Sequence, residues 1–278
     1  MIKSSAKKII YNFKWHINFL LHKLVRILLS FQRGKVVTII PHEGLGDLIS
    51  ILPALQTLHN EGVHITLATD IAKWSQVRNT FIDVPDIDII QIPPSSNYSV
   101  PKDILKYHRS FLIPLGYFSN FAFIVDYPYS FYWQLGIDRS VMDNPLYLKS
   151  CDDDFQLPES YDFIDLGTSK GVVESDYFSP AENKVIFLNN TEMVVTQPGS
   201  KLHLALNPAV SFHRKIFIAL RSQVIICSDA ALFNAVIRMS VHPKMIVQTR
   251  KHSHSHCKEI YGECKFDGGI YEFPARNT

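Results

Sequence analysis

The sequence specifies an α/β protein with parallel strands, and three observations carry that expectation. From residue 35 onward, short β-rich apolar runs alternate with stretches of helical periodicity. That rhythm needs crossover connections and therefore parallel pairing in a doubly wound sheet. The 278 residues are 46% hydrophobic and 19% charged, a globular composition with enough apolar material for one large core or two ordinary ones. Finally, residues 41–47 join a strand pattern to a helix pattern through glycines, as a crossover does at the carboxyl edge of a parallel sheet.

The first 33 residues stand apart. Lys3, Lys7, Lys8, Lys14, Lys23, Arg26 and Arg33 are basic, and no acidic residue precedes Glu43. Ile9, Ile10, Phe13, Ile17, Leu20, Leu21, Leu24, Ile27 and Leu28 recur at spacings of three and four. The pattern predicts a basic amphipathic helix, or two. It fits peripheral contact with an anionic membrane, with Trp15 and the Phe residues at the interface. It fits equally a helix packed on its own domain with solvated lysines. A run of roughly 20 uninterrupted apolar residues is missing, so no membrane-spanning helix is expected. The Phe19–Leu21 run is broken by His22, Lys23 and Arg26 without a small-residue cleavage site, so no signal peptide is expected.

The elements then follow in order. Strands are expected at Lys35–Ile40, Val63–Ala68, Ile87–Ile92 and Phe121–Asp126, with helices at Leu48–Asn60 and Ala72–Thr80. Pro93–Asn97 reads as a loop, and Tyr127–Trp133 as an aromatic loop suited either to stacking on a sugar or lipid or to packing between domains. Cys151–Pro158 is acidic and irregular and marks a boundary. Beyond it, Lys184–Leu188, Met193–Thr196 and Val224–Ser228 read as strands, and Arg214–Arg221 and Ala230–Met239 as helices. The expected organisation is a helical segment at 1–33, one α/β domain at 34–157 and a smaller one at 158–278.

Chemistry is expected where the first strand ends. Backbone N–H groups left unpaired at a helix start attract an anion, and Gly44 and Gly46 permit close approach. Asp47 falls near the first helical turn. It can serve as a first-turn charge on the helix dipole, worth about 1 kcal/mol, or as a general base. The three-glycine dinucleotide fingerprint and the Gly-Lys-Ser/Thr of a P-loop are both missing. His42 and Glu43 precede the glycines and could line the same site.

The stretch "GLGDLISILPAL", residues 44–55, resembles the N-terminal signature of heptosyltransferase-type, family 9-like glycosyltransferases through Gly46, Asp47, Leu52, Pro53, Ala54 and Leu55. "HNEGVHITLATD" is similar to that family's helix end and second strand. The resemblance implies two Rossmann-like domains facing a cleft, the arrangement called GT-B, with the second domain reduced here. It implies Asp47 as the base that deprotonates an acceptor hydroxyl; His42, Glu43, Gly44 and Gly46, by their position at the same turn, are the candidates for binding acceptor or phosphate. In the second half, "VIICSDAALFNAV" stands where the family has an Asp-Thr-Gly-x-x-His motif that holds the nucleotide sugar. Asp229 matches the aspartate, while Ala230, Ala231 and Asn234 replace threonine, glycine and histidine. Donor binding is thereby implied for Ser228, Asp229, Ala230, Ala231 and Asn234; Arg238, one helical turn further on, could reach a phosphate or be an ordinary surface arginine, and Lys201 adds positive charge nearby.

The implied reaction is an inverting, metal-independent transfer from a nucleotide-sugar substrate to a glycan or glycolipid acceptor, as in surface glycan or lipopolysaccharide biosynthesis. No cofactor, metal or nucleic-acid partner is expected, and the implied location is cytoplasmic, peripheral at the inner membrane face. Two other classes stay open: a catalytically silent binding protein of this fold, and another α/β enzyme acting on a nucleotide.

Three other features are weighed as minor. Asp152-Asp153-Asp154 has metal-transferase spacing but sits in an acidic linker. His252, His254 and His256 beside Cys257 could hold a metal on an extended segment or form a polar tail. Cys151, Cys227, Cys257 and Cys264 lack zinc spacing, and Cys227 lies in an apolar run, so a reducing compartment without a disulfide framework is expected.

Overall fold

The computed structural model describes residues 20, 23–29, 31, 36–41, 44–92, 111–115, 129–151, 157, 159–165, 167–168, 171–172, 185–188, 201–203, 210–228, 230–248, 265–267 and 270–276. The chain divides into two compact units, Met1–Arg78 with Asp83–Asn144, and Asn79–Ile82 with Pro145–Thr278. The second unit therefore begins upstream of the acidic stretch at 152–156.

In the first unit the chain runs β1 (Val36–Ile40), α1 (Leu45–Asn60), β2 (His64–Thr69), α2 (Ile71–Thr80), β3 (Asp88–Gln91), β4 (Phe111–Pro114) and α3 (Tyr129–Gln134), followed by a 3-10 turn at Arg139–Asp143. The sheet order is β3-β2-β1-β4, and every neighbouring pair is parallel. β1 and β2 are buried from their second residue onward, as continuous apolar strands covered on both faces must be. α1 buries Leu48 through Leu55 and Leu58, so it is a core helix rather than a surface one. It stops at Gly62, whose φ of 82° is the left-handed conformation glycine adopts freely. There the Val63 amide donates to the Leu58 carbonyl at 3.0 Å and the Gly62 amide to the His59 carbonyl at 2.9 Å.

Pro53 lies inside α1. A proline removes one helical N–H and pushes the preceding carbonyls outward. The Tyr132 hydroxyl of α3 donates to one of these, the Ser50 carbonyl, at 2.8 Å. That contact ties α3 to α1 and corrects the reading of residues 127–133 as an aromatic loop. Residues 129–134 are helical, and Tyr129, Phe131 and Tyr132 are buried within the first unit. Helix formation follows from burying these three aromatic rings, which stabilises the segment more than an exposed loop would.

The second unit contains β5 (Asp162–Asp165), β6 (Gly167–Thr168), β7 (Gly171–Val172), β8 (Val185–Leu188), β9 (Lys201–His203), α4 (Phe212–Leu220), β10 (Val224–Ser228), α5 (Ala231–Val236), β11 (Lys244–Gln248), β12 (Lys265–Asp267) and β13 (Ile270–Phe273). The main sheet runs β12-β13-β11-β10-β5-β8-β9. Its five strands from β11 to β9 are parallel, and β13 and β12 extend it antiparallel. Phe233 of α5 stacks on Phe273 of β13 with centroids 5.4 Å apart. Cys227 is fully buried in β10.

Strands β4, β5, β6, β7, β9, β11, β12 and β13 are not foreseen by the local patterning. β12 and β13 are antiparallel additions to a parallel sheet. The expected strands at 121–126 and 193–196 lie outside the described residues, as do the histidine tract at 252–256 and Asp152–Asp154. Leu20 and residues 23–29 are helical, and Leu29 is buried. Among the described residues no helix is long and apolar enough to cross a membrane.

Candidate functional site

Among the parallel strands of each sheet the chain reverses its direction of travel at one place. In the first unit the chain moves outward from β1 to β2 and β3, then returns to add β4 on the other side of β1. In the second it moves from β5 to β8 and β9, then returns to add β10 on the other side of β5. Crevices at the carboxyl ends of strands flanking such a reversal are where ligands bind in open α/β sheets. The flanking pairs are β1/β4 and β5/β10.

At the β1/β4 reversal, the Leu115 amide donates to the Ile40 carbonyl at 2.8 Å, closing the two strand ends together. The chain then enters α1, whose N-cap is Gly44, in extended conformation at φ −87° and ψ 149°. The helix starts at Leu45, three residues before the sequence pattern suggests, so Gly46 and Asp47 lie in its first turn. The reason is local: Asp47 sits at the third helical position, and its Oδ2 accepts from the Gly44 amide at 2.9 Å. The Asp47 and Leu48 amides both donate to the Gly44 carbonyl, at 3.1 and 3.2 Å. Glycine has no side chain to return the cap, so only half of a capping box forms. Helix geometry leaves the Leu45 and Gly46 amides without an i−4 partner inside the helix.

Gly44 has a second constraint. A Cβ there would lie 2.8 Å from Asp47 Oδ2, so any larger residue displaces the carboxylate. Asp47 is half-buried. The Ser50 hydroxyl donates to the Gly46 carbonyl at 2.8 Å, which stiffens the same turn. The structure thus gives Asp47 a capping role, and the site pairs a negative carboxylate with the positive end of a sixteen-residue helix.

The β5/β10 reversal holds the second group. Ser228 ends β10 and is buried, Ala230 is the N-cap of α5, and Ala231 opens it. The Ala230 amide donates to the Ser228 carbonyl at 2.8 Å. Ala230 supplies no side-chain cap, as an alanine cannot. Asn234 is almost fully buried, and its Nδ2 donates back to the Ala230 carbonyl at 3.1 Å. Arg238 is buried, against the default of a surface arginine, and its carbonyl accepts from the Leu146 amide at 3.1 Å. The helix stops at Val236 and tightens into i−3 hydrogen bonds at Arg238 and Met239.

The structure places Gly44, Gly46 and Asp47 at one reversal and Ser228, Ala230, Ala231 and Asn234 at the other. His42, Glu43 and Asp229 lie outside the described residues, and of Lys201 only the backbone, in β9, is described. Asp165 was missed by the motif reading. It ends β5 opposite Cys227 of β10, at the second reversal, and is half-buried. The signal was the short run "YDFIDLG", an apolar core between carboxylates followed by glycine. Among the described residues no group of three or more His, Cys, Asp or Glu could hold a metal ion.

No family model matches the chain, and no curated protein matches it. Among solved structures the chain is similar to the crystal structure of the glycosyl transferase family 9 from Veillonella parvula DSM 2008, at 14% identity and a TM-score of 0.45, over 78% of this chain and 80% of that one. A likeness of that size carries no argument about activity.

Proposed function

We propose that the chain is a glycosyltransferase with two Rossmann-like domains of GT-B type, moving a sugar from a nucleotide-sugar donor to a glycan or glycolipid acceptor. The observation that carries the reading is one of placement. The Gly44–Asp47 turn leaves the carboxyl end of a strand at the first sheet's reversal, and the Ser228–Asn234 turn leaves one at the second. Two such sites suit a reaction with two substrates.

In the proposed reaction Asp47 takes the proton of an acceptor hydroxyl as its oxygen attacks the anomeric carbon. The bond to the nucleoside diphosphate breaks on the opposite face, inverting the configuration. His42, Glu43, Gly44 and Gly46 are assigned to acceptor or phosphate. Ser228, Asp229, Ala230, Ala231, Asn234, Arg238 and Lys201 are assigned to the donor, its departing charge taken up by backbone amides and cationic side chains in a reaction proposed to use no cofactor or metal. The proposed location is the cytoplasm, against the inner membrane face.

A second reading, a catalytically silent binding protein, draws on one observation. Ala230 and Ala231 offer no hydroxyl, and the Asn234 amide is turned back onto its own helix. A thermal-shift screen against ADP-, UDP-, GDP-, dTDP- and CMP-sugars separates the two. A donor at about 100 times its dissociation constant adds roughly 2.7 kcal/mol of stability. One clear responder supports the transferase, and a flat response across all five favours the silent protein.

A further inference from the structure

The N-terminal helix has two faces with opposite fates. Leu29 is 1% exposed, while Leu20, Leu24, Ile27 and Phe31 are 65%, 50%, 53% and 70% exposed. The Phe31 amide donates to the Ile27 carbonyl at 3.4 Å, so the helical path reaches Phe31. At about 100° per residue the four exposed side chains fall within an arc of roughly 60°, and Leu29 points the opposite way. The inner face is held by named contacts. Arg26 makes two hydrogen bonds to the Glu61 carboxylate, which raise its pKa above the ordinary value. Gly136, at φ 64°, lets its backbone approach Arg26 so closely that a Cβ would lie 2.8 Å from the Arg26 nitrogen. The helix is therefore anchored by one side and presents an apolar stripe on the other.

We propose that this stripe seats the protein on the surface of an anionic lipid bilayer, independently of the transferase reading. The occupant is argued from charge. Residues 1–33 carry seven basic residues and no acidic one, and Lys23 is exposed at the edge of the stripe. An apolar stripe with Lys23 at its edge, in a segment whose charges are all positive, matches an acyl layer beneath anionic headgroups. Lysine stems reach past apolar surface to such headgroups. The anchored inner face fixes which side meets the lipid.

The test is co-flotation of the full chain with phosphatidylcholine vesicles and with vesicles rich in phosphatidylglycerol. Binding is expected only to the anionic vesicles and is expected to weaken as salt rises. The variant L20Q/L24Q/I27Q/F31Q should lose about tenfold or more of that binding at an unchanged melting temperature, because its side chains are already exposed and glutamine keeps the helix. In case that variant fails to fold, F31W gives a second readout, a blue shift of the added tryptophan's emission on anionic vesicles. Equal flotation of wild type and the quadruple variant overturns the proposal. So does absence of wild-type flotation, an unshifted F31W spectrum, or a variant that changes only self-association.

Discussion

Asp47 is the residue at which structure and chemistry can be separated. Its Oδ2 accepts from the Gly44 amide at 2.9 Å, and its charge sits in the first turn of α1. Asp47→Ala removes both the cap and the charge–dipole attraction, at a cost of about 1 kcal/mol. For units of this size that lowers the melting temperature by about 2–4 °C. Asp47→Asn keeps an oxygen that can accept from Gly44 and loses only the charge, so its cost is about half as large. A purely structural Asp47 therefore gives graded losses of stability and mild losses of turnover that follow them. A base gives a different signature: both variants lose transfer by about 100-fold or more, and Asp47→Asn does so while nearly fully folded and with donor affinity kept. Melting curves and single-donor turnover of the two variants decide the matter. Near-normal turnover in Asp47→Asn refutes the base, and an unchanged melting temperature in Asp47→Ala refutes the cap.

Three further outcomes follow from the geometry. Gly136→Ala should be more destabilising than Gly62→Ala: both carry the left-handed cost of about 1–2 kcal/mol, but only Gly136 would clash with another backbone, that of Arg26, while Gly62 faces open space; equal melting shifts would contradict this. Tyr132→Phe should cost about 1 kcal/mol by removing the buried hydrogen bond to Ser50, and calorimetry showing no loss would disprove the tie between α1 and α3. His242 is buried, and desolvation holds its pKa below the ordinary 6.5, with Arg276 adding to the effect against the opposing hydrogen bond to Pro243. The unfolded chain therefore takes the proton more readily, so stability present above about pH 6.5 is lost as pH falls towards the depressed value; the melting temperature should drop less between about pH 7 and pH 5 in His242→Asn than in wild type, and identical slopes would refute this.

The legible parts of this fold are those governed by near neighbours in the chain. The run Lys35–Ile40, the helix through Leu55 and the strand at Val63 announce themselves because period and burial agree over several residues. Glycine and aspartate at 44–47 likewise mark a helix start, since capping is a contact between residues three apart. The start itself shifts to Leu45 because the aspartate reaches backward, a direction that apolar periodicity does not record. The strand β10 and the helix α5 are equally local.

The sequence by itself determined β1, α1, β2, α2, β3, β8, α4, β10 and α5, and where a glycine-rich turn leaves a strand for a helix. Only the tertiary structure decided that β4 returns beside β1 and β10 beside β5, which turns two ordinary crossovers into the two sheet reversals. It also decided that Tyr132 closes on Ser50, that Asn234 and Arg238 are buried, and that the backbone of Gly136 meets Arg26. The physical reason is the range of the interaction. Periodicity and capping are set within a turn or two of chain, whereas strand order and burial are set by contacts between residues up to about a hundred positions apart, and no local pattern encodes their partners.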